Sequence, residues 1–290
     1  FYLYYIMIYK LKREIVANTQ NKDYTYILTE LSNKGIYCFS PRDLRTIFGL
    51  TERQAYEAIR VLKRHRLIAM VEKGKNLLLG FAPGKVLGNP FYIATSLVTP
   101  SYVSFRSALN FYTLTEQVSS TVYVAATQKH SEVKFGNYAY KYVRLQPHKF
   151  FGYQKILYAD LPVLIAEPEK AVLDSLDHLE YGGGIQEVTK ALGRSRTRTF
   201  DTSEGTREGL DIAKLIQYAK AMRNRSLSSR LGYLLTLTEQ AREEVKELEK
   251  HGSAWPVRLD PTLPPNSKWD RRFNLNVNVS YEQLFDWRRS

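Results

Sequence analysis

Two helix-start signals lie close together near the amino-terminal end of the chain, and they constrain its fold more than any other feature. Ser40 is a preferred N-cap residue, and Pro41 behind it suits the first position of a helix. Thr51 provides a second N-cap. Gly49 lies between the two signals and suits a tight turn. The pattern therefore predicts a short helix, a turn and a second helix from Glu52 to about Arg66.

The second predicted helix has one apolar and one polar face. Ala55, Ile59 and Leu62 recur at helical spacing, which predicts a buried stripe, and Ala58 widens it. The opposite face is polar and mostly cationic. Its residues are Arg53, Gln54, Tyr56, Glu57, Arg60, Lys63 and Arg64.

A basic hairpin is predicted directly after this helix. Two short apolar runs, Leu67 to Val71 and Leu77 to Phe81, flank a loop with Gly74 at its centre. A further helix, Asp23 to Asn33, precedes the two capped helices, and Gly35 is its expected C-cap. Helix, turn, cationic helix and hairpin is the order in which a winged helix-turn-helix presents its recognition helix and wing to DNA.

The charge distribution favours double-stranded DNA as the partner of this segment. Residues 1 to 81 contain 14 Lys and Arg against 7 Asp and Glu, so they hold about half of the excess charge of +13. Phosphate neutralisation by such cations drives sequence-independent binding. We expect Arg53, Gln54 and Glu57 to reach base edges. The other predicted DNA contacts are Arg42, Thr51, Tyr56, Arg60, Lys63, Arg64, Lys73, Lys75 and Asn76.

A larger second domain is predicted from the 290-residue length and the pattern of the remaining sequence. Pro and Gly residues between 82 and 90 suggest a boundary, with a winged-helix domain at 1–84 and an α+β domain at 90–290. In the second domain we expect a mostly antiparallel sheet at about 90–180, a helical bundle at about 185–250 and a tail strand at 273–279. The expected sheet strands include Thr121–Ala126, Val133–Phe135 and Tyr138–Leu145, and a helix is expected over Ser101–Tyr112.

Several classes of function are disfavoured by the sequence. Cys38 is the only cysteine and the five histidines are scattered, so we expect no metal site, no cofactor and no disulfide. The three glycines at 182–184 follow a predicted helix and lack the Gly-Lys-Ser/Thr signature, so we interpret them as a helix end and turn. Residues 1–8 are apolar but too short to span a bilayer, and no basic segment precedes them. We therefore expect a cytoplasmic protein with no membrane partner.

Two further charged clusters have competing explanations. Glu167, Glu169 and Asp174 could be ligands of a metal-dependent nuclease acting on nucleic acid. Carboxylates at a helix start are also stabilised by the helix dipole without any catalysis, and we favour that explanation and a non-enzymatic protein. Arg194, Arg196 and Arg198 form a basic connection between two predicted helices. They could contact nucleic acid or an acidic partner, or could simply be an exposed loop.

A set of short motifs runs through the second domain. They lie at residues 92–98, 102–109, 122–125, 150–153, 230–235 and 259–261, and the most telling is the phrase Ala-Glu-Pro-Glu-Lys-Ala-Val-Leu-Asp at 166–174. As a set, these motifs resemble the second domain of AbiEi-type antitoxins. The resemblance covers about residues 25 to 280, and the first twenty residues match nothing in it.

The resemblance implies an antitoxin of an abortive-infection, type IV toxin–antitoxin system. Such proteins join a winged helix that represses the system's own promoter, by binding repeats there, to a domain associated with neutralising a nucleotidyltransferase-like toxin. A stable complex with the toxin is not required. An interaction protein, whose winged helix binds protein and whose second domain grips a toxin directly, is the remaining alternative. Neither the residues nor the resemblance decides the oligomeric state.

Overall fold

The computed structural model describes residues 24–80, 83–202, 205–240 and 244–288, so the apolar segment at 1–8 lies outside the described residues. The chain divides into two compact units. One reaches to Leu97 and includes residues 159–161, and the other comprises residues 98–158 and 162–290. This division falls later than the predicted boundary at 84–90. The hydroxyl of Tyr92 accepts a hydrogen bond from the backbone N–H of Tyr37 (3.1 Å), which ties the helix at 90–97 to the first unit.

The first unit begins with three helices and a small sheet, in the order expected from the sequence. Its elements are α1 (Tyr24–Asn33), β1 (Cys38–Phe39), α2 (Pro41–Phe48), α3 (Glu52–Arg64), β2 (Ile68–Glu72), β3 (Lys75–Leu78), α4 (Pro83–Leu87) and α5 (Pro90–Leu97). Strand β3 is central in the sheet and pairs antiparallel with both β1 and β2.

The two predicted helix starts are confirmed by their capping geometry. The Ser40 side chain accepts from the backbone N–H of Asp43, and the Asp43 carboxylate accepts from the Ser40 N–H. Thr51 and Gln54 form the same reciprocal box at the start of α3. Gly49 ends α2 with φ 62°, a left-handed conformation that glycine adopts without strain. These local signals fix the turn between α2 and α3.

The core of the first unit uses the predicted stripes. Ala55, Ala58 and Leu62 on α3 are at most 1% exposed, while Ile59 is half-buried. Leu44 of α2 packs into the same core, as do Ile27, Leu28 and Leu31 of α1 and Phe39, Leu50, Leu67, Ile68 and Leu78. Because this stripe holds α3 from one side, its polar face is left in solvent.

The second unit combines a large sheet, a small sheet, a hairpin and helices. Its strands are β4 (Ser101–Val103), β5 (Thr121–Ala126), β6 (Val133–Phe135), β7 (Tyr138–Arg144), β8 (Tyr153–Tyr158), β9 (Leu161–Ala166), β10 (Thr199–Thr202), β11 (Gly205–Glu208), β12 (Val257–Arg258), β13 (Trp269–Asp270) and β14 (Leu275–Asn276). Its helices are α6 (Phe105–Phe111), α7 (Pro168–Asp177), α8 (Leu179–Gly182), α9 (Ile185–Ser195), α10 (Ile212–Ala221), α11 (Arg225–Leu237), α12 (Val245–His251) and α13 (Tyr281–Leu284), with 3₁₀ turns at Pro147–Lys149 and Asp286–Arg288.

The large sheet has the strand order β6-β7-β5-β4-β9-β8 and is mixed. The pairs β6/β7 and β4/β5 are antiparallel, but β5/β7 and β4/β9 are parallel. The expected α+β class therefore holds, while the sheet is less antiparallel than predicted. In a simple meander, β6 would lie between β5 and β7 and every neighbouring pair would be antiparallel. Here β6 is the edge strand and β7 lies directly beside β5, so β5 and β7 run parallel.

Two local predictions in the second unit need correction, and one element was not predicted. Residues 101–103 form the strand β4 rather than the start of a helix, because they pair with β5 and β9. The tail strand predicted at 273–279 is reduced to β14, although Phe273, Leu275, Val277 and Val279 point inward as the alternation predicted. The hairpin β10/β11 had no sequence prediction. The glycine turn is confirmed, since Gly183 caps α8 with φ 94°. Within the described residues, no helix has the length and apolarity needed to cross a membrane.

Candidate nucleic-acid interface

The polar face of α3 is the most strongly cationic surface among the predicted contacts. Arg53, Arg60, Lys63 and Arg64 are all exposed, as is Gln54. Tyr56 presents an exposed aromatic ring, 56% accessible, on the same helix. These side chains lie in solvent because the apolar stripe of α3 is packed on the opposite side. The face offers guanidinium and ammonium donors and one aromatic ring to a large anionic partner.

The first turn of α3 is constrained by its own cap. The Gln54 Oε1 atom accepts hydrogen bonds from the Thr51 N–H (3.0 Å) and the Thr51 hydroxyl (3.1 Å). The Thr51 hydroxyl in turn accepts from the Gln54 N–H (3.3 Å). Thr51 is therefore a capping residue in this structure. While the cap is intact, the Gln54 side-chain oxygen is occupied, so only the side-chain NH₂ group is available as a donor to a base edge.

Glu57 and Arg60 form a bidentate ion pair on the exposed face of α3. The Arg60 Nε donates to Glu57 Oε2 at 2.9 Å, and Nη2 donates to Oε1 at 2.5 Å. The hydrogen bond from Arg60 lowers the pKa of Glu57, and the same bond raises the pKa of Arg60. Both side chains are exposed enough for water to screen this pair. The pair holds the Arg60 guanidinium beside a carboxylate that partly neutralises its charge.

The β2/β3 hairpin presents one exposed lysine at its turn. Lys73 and Gly74 form the turn, and Gly74 adopts φ 81°. Lys75 is the first residue of β3 and is half-buried. Asn76 was predicted to be an exposed contact, but the residue is only 3% exposed in the central strand β3, where it lies between Phe39 of β1 and Met70 of β2. Asn76 therefore belongs to the sheet interior.

An open groove of about 730 Å³ lies between α2, the start of α3 and the hairpin turn. Arg42, Arg45 and Thr46 of α2 line it together with Tyr56 and Gly74. Arg42 was a predicted contact, while Arg45 and Thr46 were not. The spacing of the two arginines could have identified Arg45. It follows Arg42 by three residues, which places both side chains on one exposed face of α2. The groove brings three separate segments of the first unit around one concave surface.

The second basic cluster does not form a single patch. Arg194 lies in the last turn of α9 rather than in a connecting loop, and its guanidinium pairs with Glu116 (2.6 Å). It also lies over the ring of Trp287, at 6.0 Å from the centroid. Arg196 donates to the backbone oxygen of Thr238 (3.3 Å). Arg198 lies beyond the end of α9 and is exposed. Because Arg194 and Arg196 are held by different partners, the three arginines do not share one surface.

The three carboxylates considered as metal ligands are each bound to other parts of the second unit. Asp174 is fully buried and pairs with the equally buried Lys170 one turn away. Its Oδ2 atom also accepts hydrogen bonds from the hydroxyls of Ser104 (2.7 Å) and Tyr102 (3.1 Å). Burial, with Asp174 as the next contribution, raises the pKa of Tyr102 well above its ordinary value. Asp174 therefore joins α7 to β4.

The other two carboxylates join α7 to the elements after α9. Glu169, also fully buried, pairs with Arg207 of β11 and accepts from the backbone N–H of Asp211 at 2.8 Å. Glu167 accepts from the Tyr218 hydroxyl (2.6 Å) and pairs with Lys214 (3.3 Å). All three carboxylates thus have cationic partners and diverge toward different elements. In the described ranges, no group of three acidic, histidine or cysteine side chains is arranged to hold a metal ion.

The comparisons with known proteins bear on the fold alone. No protein-family model matches the chain. A search of curated proteins gives no significant match. Among solved structures, the crystal structure of the RV2827C protein from Mycobacterium tuberculosis aligns with 94% of this chain and 97% of its own, with a TM-score of 0.58 and 12% identity. At this identity the likeness supports the mixed α+β architecture and carries no information on activity.

Proposed function

We propose that residues 24–80 form a winged helix-turn-helix that binds double-stranded DNA, and that the protein represses transcription from its own promoter. The observation that carries this proposal is the exposed cationic face of α3 beside the groove of the first unit. Arg53, Arg60, Lys63 and Arg64 are all exposed on it, while the apolar side of the same helix is packed. A rigid helix with this division of faces is suited to lie in the major groove.

The proposed contacts divide into those that specify sequence and those that bind phosphate. Arg53 is near the start of α3, where a recognition helix approaches the bases most closely, so we assign it to a base edge. Glu57 would accept from a cytosine amine once Arg60 turns to a phosphate. Lys73 at the hairpin turn, and Arg42 and Arg45 beside the groove, would bind the backbone.

The second part of the proposal concerns the larger unit and rests on the sequence resemblance. We propose that it is a non-enzymatic antitoxin domain that counteracts a nucleotidyltransferase-like toxin in the cytoplasm, without the need for a stable complex. The engagement of Glu167, Glu169 and Asp174 by cationic partners supports a structural role for the Glu-Pro-Glu-Lys phrase over a metal-dependent nuclease.

Two matched substitutions test the division of roles. Arg53→Ala should cost about 1–3 kcal/mol on the operator and relax the preference at one base pair. Lys73→Ala should weaken operator and scrambled duplexes equally and lower the salt slope by about one unit. Lys34→Ala is the control, because Lys34 is exposed in the turn after α1 and already pairs with Glu30 (3.9 Å). Identical behaviour of Arg53→Ala and Lys73→Ala on both duplexes would contradict the assignment.

A different pair of results would favour the alternative in which both units bind protein. If no duplex shifted at low salt, and the product of a neighbouring gene co-purified with the full-length chain, then the cationic face of α3 would be a protein contact. Magnesium-dependent cleavage of nucleic acid that is abolished by Glu169→Ala would instead support an enzyme.

A further inference from the structure

The second unit carries a cluster of aromatic rings and cations on one face of its large sheet. Tyr123 of β5 and Lys141 of β7 are direct partners in the parallel register, so their side chains leave the sheet on the same face. Tyr181 of α8 packs its ring against Tyr123, with centroids 5.8 Å apart and an angle of 34°. All three side chains are half-buried, which leaves part of each in solvent.

Two cations lie over these rings. The Lys141 Nζ atom is 5.1 Å from the ring centroid of Tyr181, and the Arg106 guanidinium is 5.5 Å from that of Tyr123. Arg106 also donates to the Tyr123 hydroxyl (3.3 Å) and to Gln117 Oε1 (3.1 Å). Its Nε atom is buried and has no hydrogen-bond partner among the described residues. The cluster is therefore a contiguous aromatic and cationic surface.

The cations of this cluster differ from others in the same unit. Lys149 pairs with Asp177, Lys190 with Glu116 and Arg207 with Glu169. Arg106 and Lys141, in contrast, form no ion pair with a carboxylate within the described part of the chain. Positive charge that is held close to aromatic rings and left without a carboxylate remains available to an anionic ligand.

The edge of the cluster adds a third cation and one ionisable ring. Lys134 of β6 pairs in register with Ala139, two residues before Lys141, so it is exposed on the same face. His178 stacks on Tyr181 (5.9 Å, 29°). Its two ring nitrogens lie 3.5 Å from carboxylate oxygens of Asp177 and Glu180. The Asp177 carboxylate is nearly buried and pairs with Lys149, whereas Glu180 is exposed and places a negative charge at this edge.

We propose that this aromatic and cationic surface, made of Arg106, Tyr123, Lys134, Lys141 and Tyr181, binds single-stranded nucleic acid. Unpaired bases stack on aromatic rings and on guanidinium planes, while lysines bind the phosphates between them. A duplex keeps its bases stacked inside and cannot use the rings. The exposed carboxylate of Glu180 disfavours phosphate beside His178, so we expect the phosphates beside Arg106, Lys134 and Lys141. The surface belongs to the second unit and does not depend on the proposed duplex binding.

The test uses the full-length protein with Arg53→Ala and Lys73→Ala, which weaken the proposed duplex interface. Fluorescence anisotropy at low salt would measure its binding to labelled oligouridine and oligothymidine of about ten nucleotides, each about the footprint of a small single-strand site. We expect Lys141→Gln to weaken binding several-fold and to reduce the salt slope by about 0.7. Lys155→Gln is the control, because Lys155 is exposed on β8 and should leave binding unchanged.

A second pair of variants separates stacking from folding. Tyr181→Leu should weaken binding by about five- to 150-fold, which corresponds to the loss of one stacked base. Tyr181→Phe retains the ring and should bind as the parent does. Equal binding of oligouridine and oligothymidine would show that the 2′-hydroxyl is not read, and stronger oligouridine binding would assign RNA.

Three results would overturn the proposal. One is the absence of single-strand binding at about 100 μM protein and low salt, where even weak non-specific binding is detectable. Another is equal affinity of the parent, Lys141→Gln and Lys155→Gln. The third is single-strand binding that appears only when Arg53 and Lys73 are restored, since it would then belong to the first unit. Failure of operator binding with single-strand binding intact would refute only the proposed repressor.

Discussion

Replacing Asp174 with alanine should destabilise the second unit strongly, because it breaks a charge network that has no access to water. Asp174 and Lys170 are both fully buried, and the Asp174 carboxylate also accepts hydrogen bonds from Tyr102 and Ser104. Removal of one partner from a buried ion pair costs about 3–5 kcal/mol, since the other charge is left uncompensated. The two hydroxyls lose their acceptor as well, which places the expected cost at the upper end of this range.

The expected cost converts into a thermal shift that is simple to measure. A domain of about 150–250 residues loses roughly 2–4 °C of Tm per kcal/mol, so Asp174→Ala should lower the Tm of the second unit by about 6–20 °C. Thermal unfolding followed by tryptophan fluorescence would report it, because Trp255, Trp269 and Trp287 all belong to that unit. Glu180→Ala, at an exposed carboxylate on the neighbouring helix α8, should remain within about 0.5 kcal/mol of the parent.

A double variant tests the physical reasoning separately from the loss of one side chain. Lys170→Met with Asp174→Leu removes both charges, so it should recover most of the stability that Asp174→Ala loses. The reasoning is refuted if Asp174→Ala unfolds within 2 °C of the parent, or if the double variant is as unstable as the single one. Loss of a magnesium-dependent activity at unchanged Tm would show instead that Asp174 has a chemical role.

Three further predictions address the first unit, the second core and the single thiol. Glu57→Ala should raise the affinity for a scrambled duplex at low salt severalfold, because it frees the Arg60 guanidinium and removes one negative charge. The gain should vanish in Glu57→Ala/Arg60→Ala, and an unchanged affinity of Glu57→Ala in DNA titrations would contradict the role of the pair. Gly232→Ala should lower the free energy of unfolding, measured by denaturant titration, by about 1–3 kcal/mol, because a Cβ atom there would lie 2.3 Å from the buried ring of Phe273. Gly84→Ala is the control and should leave the free energy of unfolding unchanged, because its Cβ atom would meet nothing within 4 Å. Burial raises the pKa of the Cys38 thiol to about 11, although the residue as a whole is only half-buried. At pH 8 its alkylation should therefore be about a hundredfold slower in the folded than in the urea-unfolded protein, and equal rates would contradict the raised pKa. Because the pKa is raised in the folded state, the thiol should destabilise the fold only as the pH rises above 9.

The elements that the sequence predicted well are those determined by residues close together in the chain. The caps at Ser40 and Thr51 act within four residues, and the helices that they start match the structure at both amino-terminal ends. Strands β5 and β6 also match, because their β-branched and aromatic residues adopt extended backbone wherever the sheet lies. Local chemistry therefore predicted the starts of these two helices and the extent of these two strands.

The features that were missed depend on partners distant in sequence. Asn76 follows a glycine turn and was expected at an exposed hairpin, but β3 lies between β1 and β2 and the residue is 3% exposed. Arg194 was expected in an open basic loop, whereas its partner Glu116 lies 78 residues away. The same holds for Glu169, which is bound by Arg207 of the unpredicted hairpin β10/β11. Spacing along the chain carries no information about such partners until the topology is known.

Binding of the full-length protein to the DNA upstream of its own gene tests the central claim most directly. Fluorescence anisotropy would compare that duplex with a scrambled duplex of the same length and composition across a salt series. We predict tight binding to the upstream DNA, weaker binding to the scrambled duplex and a steep fall of both affinities with salt, because the proposed contacts of α3 and Lys73 are to phosphate. Equal and weak binding to both duplexes would contradict a sequence-specific repressor.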